Sequence, residues 1–153
     1  MQGAIEEGRL RRLLSSVKRP SRYIGGEWGS GPVKEGEDLV RICYAFPDLY
    51  EVGMSYLGFQ ILYPLTKSLP YADAERTPIW ALESKRPLTD FDAVGFTLQY
   101  ELSYTNILTI LDLAGIPFRS AERGEEHPLI LAGGIGALAP EPVAPFIDAF
   151  MVG

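Results

Sequence analysis

A chain of 153 residues with 46% hydrophobic and 22% charged residues has the length and composition of one globular domain, which excludes disordered, collagen-like and coiled-coil classes. Its single cysteine, Cys43, has no partner for an internal disulfide, and alone it cannot hold a structural zinc or an iron-sulfur cluster, each of which takes several protein ligands. The net charge of -6 is unevenly divided: residues 1–22 carry six basic and two acidic residues and the remainder eight and eighteen, so the body should repel nucleic acid and only the N-terminal arm could attract it.

The first predicted element is an amphipathic helix over 4–18, because Leu10, Leu13, Leu14 and Val17 fall at i, i+3, i+4 and i+7 and form one apolar stripe that must dock on something. Residues 19–34, with Pro20, Pro32 and four glycines, are too rich in breakers for regular structure. Tyr23, Ile24 and Trp28 give this stretch apolar anchors, so it reads as an ordered arm. Residues 1–38 therefore form a helix and arm that precede an α/β domain over 39–153.

From Leu39 onward short apolar runs alternate with helical stretches. Leu39–Phe46, Ala93–Leu98, Leu129–Ala132 and Ile147–Val152 are apolar on both faces, which predicts strands covered on both sides. A helix is predicted over 55–68, with Pro64 expected to kink or end it near Tyr63. A second is predicted over 103–114, capped by Ser103, closed by a left-handed Gly115 and stopped by Pro117. Residues 69–92 leave room for an edge strand around 77–82 but not for a crossover helix, so one sheet face is expected to be under-covered near that edge. The alternation predicts a doubly wound, mainly parallel sheet of four or five strands, Rossmann- or flavodoxin-like, with helices on both faces. No run of ~18 apolar residues and no signal-peptide core occurs, so a cytoplasmic protein without a membrane segment is expected.

In open parallel sheets ligands bind beyond the carboxyl ends of the strands. The candidate site residues are therefore Asp48, Tyr50, Gly53 and Met54 after the first strand, Gln99 and Tyr100 after the third, and Gly133, Gly134, Pro140 and Glu141 after the fourth. Glycines and tyrosines with few charges suit a large, flat, mostly uncharged ligand or another domain. No Lys-Ser or Lys-Thr follows the glycines, which disfavours nucleoside triphosphates. Asp48 and Glu51 have no His or Cys close in sequence and read as loop carboxylates or turn caps rather than metal ligands. His127 should lie at the amino end of a strand, away from these loops, and Cys43 should be a buried thiol.

The segments RPSRYIGGEW (19–28), FPDLYEVGMSYLGFQILY (46–63), ALESKRPLTDFDAVGFTLQYELSYTNIL (81–108) and LAGGIGALAPEPVAPFIDAFMVG (131–153) resemble the N-terminal part of a family of radical SAM proteins, a cobalamin-binding-like domain. The resemblance implies that Gly153 lies at the junction with a catalytic barrel. That barrel would carry the [4Fe-4S] cluster and S-adenosylmethionine and would be this domain's main partner. Mutase-type cobalamin domains supply a histidine from an Asp-x-His-x-x-Gly loop, and Tyr50 stands in its place between Asp48 and Gly53. A corrin would thus be held base-off, without histidine ligation. Three readings follow: a domain that positions a corrin or a substrate for the barrel; a cofactor-free module that docks on the barrel or a partner; and, third, RNA contact through the basic N-terminal helix.

Overall fold

A computed structural model of the chain describes residues 7–77 and 80–152. Five strands, β1 (Val40–Ala45), β2 (Ala72–Thr77), β3 (Ala93–Thr97), β4 (Leu129–Gly133) and β5 (Ala149–Met151), form one sheet in the order β2-β1-β3-β4-β5. Every pairing is parallel. The helices are α1 (Glu7–Ser16), α2 (Tyr50–Ser55), α3 (Leu57–Ser68) and α4 (Tyr104–Ala114). This is the α/β doubly wound architecture that the alternation of strands and helices predicts.

Alternation along the strands divides the sheet's two faces. Cys43, Ala45, Val94, Phe96, Ile130 and Ala132 point to one side and are buried against Ile107, Ile110 and Leu111 of α4. Ala81, Leu88 and Phe91 from the β2–β3 connection, and Val143 and Ile147 from the β4–β5 connection, complete that core. On the opposite face α3 packs along β2 and sets Phe59 against Tyr44 at 6.0 Å between ring centroids. Beyond α3 that face is not covered by any described residue, and Gly95, Thr97, Leu131 and Gly133 are only half-buried. The under-covered region therefore lies over β3–β5 rather than at the β2 edge, because the short β2–β3 connection places its apolar residues on the α4 side.

Three local expectations need correction. The edge strand is Ala72–Thr77, not 77–82: Leu82 N–H donates to the Arg76 carbonyl at 2.9 Å, so Leu82 lies back against β2 instead of extending it. Its six residues are all buried although three are charged, which is why a search for apolar runs passes over it. Asp73 pairs with Lys67 at 2.6 Å, Glu75 accepts the Ser84 N–H at 2.7 Å, and Arg76 pairs with Glu83 at 3.4 Å. Pro64 sits inside a continuous α3 without ending it; it is on the exposed side, where water can satisfy the carbonyl that loses its donor. Ser103 does not cap α4 with its side chain but donates to the Tyr100 carbonyl at 2.8 Å, closing a 3-10 turn over Glu101–Ser103 that leads into the helix.

The C-terminus of α4 follows the expectation. Gly115 is left-handed at φ 69°, its N–H bonds to Asp112 O at 3.0 Å and the Ile116 N–H bonds to Leu111 O at 2.9 Å, a Schellman closure. The N-terminal helix predicted over 4–18 is observed as α1, its residues 4–6 lying outside the described residues. None of the residues of α1 is buried: of its apolar stripe Leu10 and Leu14 are half-buried and Leu13 is exposed. The arm, in contrast, is stitched along the edge of β2. Lys34 N–H donates to Asp73 at 3.0 Å and its Nζ to the Leu69 and Ala72 carbonyls at 2.6 and 2.8 Å. The arm thereby covers an edge that would otherwise present open backbone groups.

Candidate functional site

The parallel arrangement brings the ends of β1, β3 and β4 side by side, so the loops beginning at Phe46, Leu98 and Gly134 leave from one rim. Two of the predicted positions meet there. Gly134 is left-handed at φ 97°, and a Cβ on it would stand 2.6 Å from Gln99 Nε2 and 2.9 Å from the Leu98 carbonyl. Gln99 Nε2 donates to Tyr56 Oη and to Thr97 Oγ1, both at 2.7 Å. Tyr56, on the turn between α2 and α3, is one of the tyrosines that the sequence brings to this rim, with Tyr50, Tyr100 and Tyr104, although it is not among the candidate site residues.

The glycines of this rim serve the protein's own packing. A Cβ on Gly136 would stand 2.6 Å from Tyr104 Oη and 2.8 Å from Leu98 Cβ, and a Cβ on Gly53 would stand 2.8 Å from Phe46 Cβ. Gly133 alone has ordinary clearance, with Met151 O at 3.5 Å the nearest atom to an added Cβ. Pro140 accepts the Val143 and Ala144 N–H groups at 3.0 and 2.8 Å, a turn anchor, and Glu141 beside it is exposed. Met54 is half-buried and its carbonyl accepts the Gln60 side chain at 2.7 Å.

The first loop faces the other side of the rim. Asp48 Oδ1 accepts the Leu49 N–H at 2.6 Å, a turn contact, and Asp48 and Tyr50 line a hollow of about 300 Å³ with Asn106, Ile110 and Leu113 of α4. Tyr50 Oη donates to Glu27 Oε1 of the arm at 2.8 Å. Burial first, and then that hydrogen bond, push the phenol up to about 12, so Tyr50 is a neutral donor at physiological pH. Glu51 accepts from Arg19 at 2.9 Å and pairs with Arg22, whose guanidinium is the largest reason its carboxyl lies below the usual range. Two of the basic residues of the N-terminal segment are therefore committed to this carboxylate.

The rim carries apolar side chains in the open. Leu102 is 88% exposed, and Leu49, Ile135 and Leu138 are exposed as well. Tyr100 is exposed in the third loop, and Trp28 on the arm is 92% exposed. A larger hollow, about 1390 Å³, lies at the opposite, amino edge, lined by Arg123, His127 and Asp148 among others. Several of its polar groups are occupied by structural bonds. Asp148 accepts the Ile130 N–H at 2.7 Å and pairs with Arg123 at 2.8 Å, and His127 Nδ1 accepts the Gly124 N–H at 3.2 Å. His127 is thus remote from the rim, as its place before a strand implies, and Cys43 is fully buried, its thiol pushed well up by burial.

The region described as radical SAM proteins, N-terminal, matches residues 60–153, well over half of the chain. The chain belongs to this family. An uncharacterized protein of Methanocaldococcus jannaschii is 28% identical over 116 residues, covering 75% of this chain and 24% of that protein. The chain thus spans about a quarter of the length of the curated relative it matches. No solved structure matches it. The match begins inside α3 and runs through β2–β5, so this radical SAM N-terminal region includes most of the sheet and the third- and fourth-strand loops, while the arm and the Asp48–Ser55 loop lie before it. Among the described residues no helix is long and apolar enough to cross a membrane.

Proposed function

We propose that this radical SAM N-terminal domain is cobalamin-binding-like and cytoplasmic. Its carboxyl rim holds a flat ligand, a corrin without histidine ligation or a substrate, against a [4Fe-4S]/S-adenosylmethionine barrel. The observation that carries the reading is the convergence at one rim of the Gln99–Tyr56–Thr97 hydrogen-bonded group with the exposed aliphatic residues Leu102, Ile135 and Leu138. A few oriented polar groups beside an apolar surface are the chemistry of a mostly uncharged ligand.

The residues fit a corrin held by contact and not by coordination. Tyr50, in the place of the axial histidine, stays protonated and spends its hydrogen on Glu27. The corrin, when bound, supplies cobalt alkyl-transfer or redox chemistry. The chain's own residues bind and orient: Gln99, whose two amide hydrogens go to Tyr56 and Thr97, offers its Oε1 as an acceptor to the ligand edge, the aliphatic residues exclude water, and Gly134 lets the third and fourth loops lie in contact. Cys43 is the chain's one cysteine and is buried in β1, so the cluster and the cleavage of S-adenosylmethionine belong to the barrel.

The test is to mix the chain with hydroxocobalamin, desalt it and read the visible spectrum alongside calorimetry. Retained colour with a base-off spectrum is expected, and Gln99→Ala with Leu102→Asp should lose it. A colourless protein with no heat of binding rejects the corrin version. The exposed Leu102, Ile135 and Leu138 also support a second reading, in which the rim docks on the barrel without a cofactor. Under that reading the same two substitutions weaken association with the barrel and cobalamin has no effect.

A further inference from the structure

The open half of the sheet has the dimensions of a missing helix. Its floor is Tyr44 of β1, Gly95 of β3 and Leu131 and Gly133 of β4, with Leu62 of α3 as one wall and Met151 of β5 as the other, enclosing about 440 Å³. Strands lie ~4.8 Å apart, so β3 to β5 spans ~10 Å, the diameter of one helix with its side chains. A five-residue strand is ~17 Å long, which ~11 residues of helix would cover. The floor is apolar and small where it must be: Tyr44 lies over Gly95, at 3.3 Å from where a Cβ would be, and leaves a shallow central strip.

Parallel sheets are stable with both faces covered, and here, among the described residues, one face is covered while the other carries α3 alone. The occupant must enter from somewhere near the trough. Met151 and Val152, at the end of the edge strand, themselves line its wall, so the residues that come next in a longer protein emerge at the trough's carboxyl mouth. A chain leaving a parallel strand at that edge returns along the sheet as a helix antiparallel to the strands. The family is by description an N-terminal region, and the matched part is 24% of the M. jannaschii relative, so longer proteins of this kind have polypeptide to place there.

We infer that the trough over β3–β5 is the seat of an amphipathic helix supplied by the polypeptide that follows this domain in longer members of the family, with apolar residues at i, i+3, i+4 and i+7 facing Leu131 and Met151. This helix completes the doubly wound sheet and ties the domain to what comes after it. The inference stands whether or not a corrin binds at the rim, and its test contains no cobalamin.

The test is thiol protection. Cys43 is fully buried and does not compete for a maleimide dye, so Leu131→Cys and, as a second site that leaves the floor intact, Met151→Cys each introduce one reactive thiol in the trough. Glu125→Cys at the exposed amino edge is the control. Labelling rates are compared between the 153-residue chain and the same chain extended by the ~30 residues that follow the matched region in the M. jannaschii relative, enough for a turn and a helix. The expected result is a fall of about tenfold or more at both trough thiols, with the control unchanged. Unchanged rates at both trough positions in the extended chain overturn the inference. So does concentration-dependent protection in the unextended chain, which would assign the trough to a second copy.

Discussion

Tyr50 of α2 and Glu27 of the arm are joined by a 2.8 Å hydrogen bond that spans 23 positions of sequence and turns the first-loop tyrosine away from the third and fourth loops. The second carboxylate oxygen of Glu27 is buried without a hydrogen-bond partner among the described residues, so the carboxylate leans on Tyr50. Tyr50→Phe should therefore cost about 1–3 kcal/mol, the range for leaving a buried acceptor without its donor. The measurement is the denaturation midpoint of the variant against the parent.

The same contact sets an alkaline limit. Tyr50 and Tyr63 are both pushed up to about 12 from an ordinary value near 10, chiefly by burial. The folded state then holds protons that the unfolded state releases, so this contribution is fully present below pH ~10 and is lost as pH rises through ~12. A spectrophotometric tyrosine titration should show two late-titrating phenols, and Tyr50→Phe or Tyr63→Phe should each remove one of them. Normal titration of all eight tyrosines in the folded chain would contradict this.

Glu51 gathers Arg19 and Arg22 of the arm onto the first turn of α2. Glu51→Gln should loosen the arm without unfolding the sheet. Its mark is faster tryptic cleavage after Arg22, since the Arg19-Pro20 bond resists trypsin, partly reproduced in the parent by molar salt, because these exposed charges are screened. As pH falls through the lowered value of Glu51 the same loosening should appear in the parent and be absent in the variant.

Arg76 is 2% exposed, pairs with Glu83, donates to Ser30 Oγ at 2.6 Å and stacks over the Tyr63 ring at 4.3 Å. Arg76→Met removes the charge from a buried network and leaves Glu83 uncompensated, a change that typically costs about 3–5 kcal/mol. Arg76→Met with Glu83→Gln should recover part of that loss, read as a higher melting temperature than the single variant.

Gly134→Ala places a Cβ against Gln99 and the Leu98 carbonyl at a positive φ, and strain of this kind costs about 1–3 kcal/mol. Gly26→Ala has a similar φ of 84° but open space around it and should cost less, while Gly133→Ala should be close to neutral. Melting temperatures in that order are the check.

How much of this was legible in the sequence depends on how each residue satisfies its polar groups. Val94, Phe96 and Ile130 are apolar and buried, so β3 and β4 read directly, as does the Gly115–Pro117 end of α4. The β2 strand was hidden because Asp73, Glu75 and Arg76 are buried as bonded charges, and their partners come from the arm, α3 and the β2–β3 turn, which no local pattern joins. Leu131 and Ile42 are apolar on a face that the described residues leave open; their pattern reads as covered on both sides, and the trough shows where the cover is absent. At the site, residue type located the rim but not the direction of its side chains. Asp48, Tyr50 and Gly53 face α4, the arm and Phe46, and only Gln99 and Gly134 meet, because the arm captures Tyr50 through a contact that spacing does not encode.

The most direct measurement of the central claim is an amide ¹H–¹⁵N spectrum of the labelled chain titrated with hydroxocobalamin. Saturable shifts at Gln99, Leu102, Gly134, Gly136 and Leu138, with Gly124, Glu126 and His127 unmoved, are the predicted result. Shifts gathered at the amino-edge residues, or none at any concentration, would contradict it.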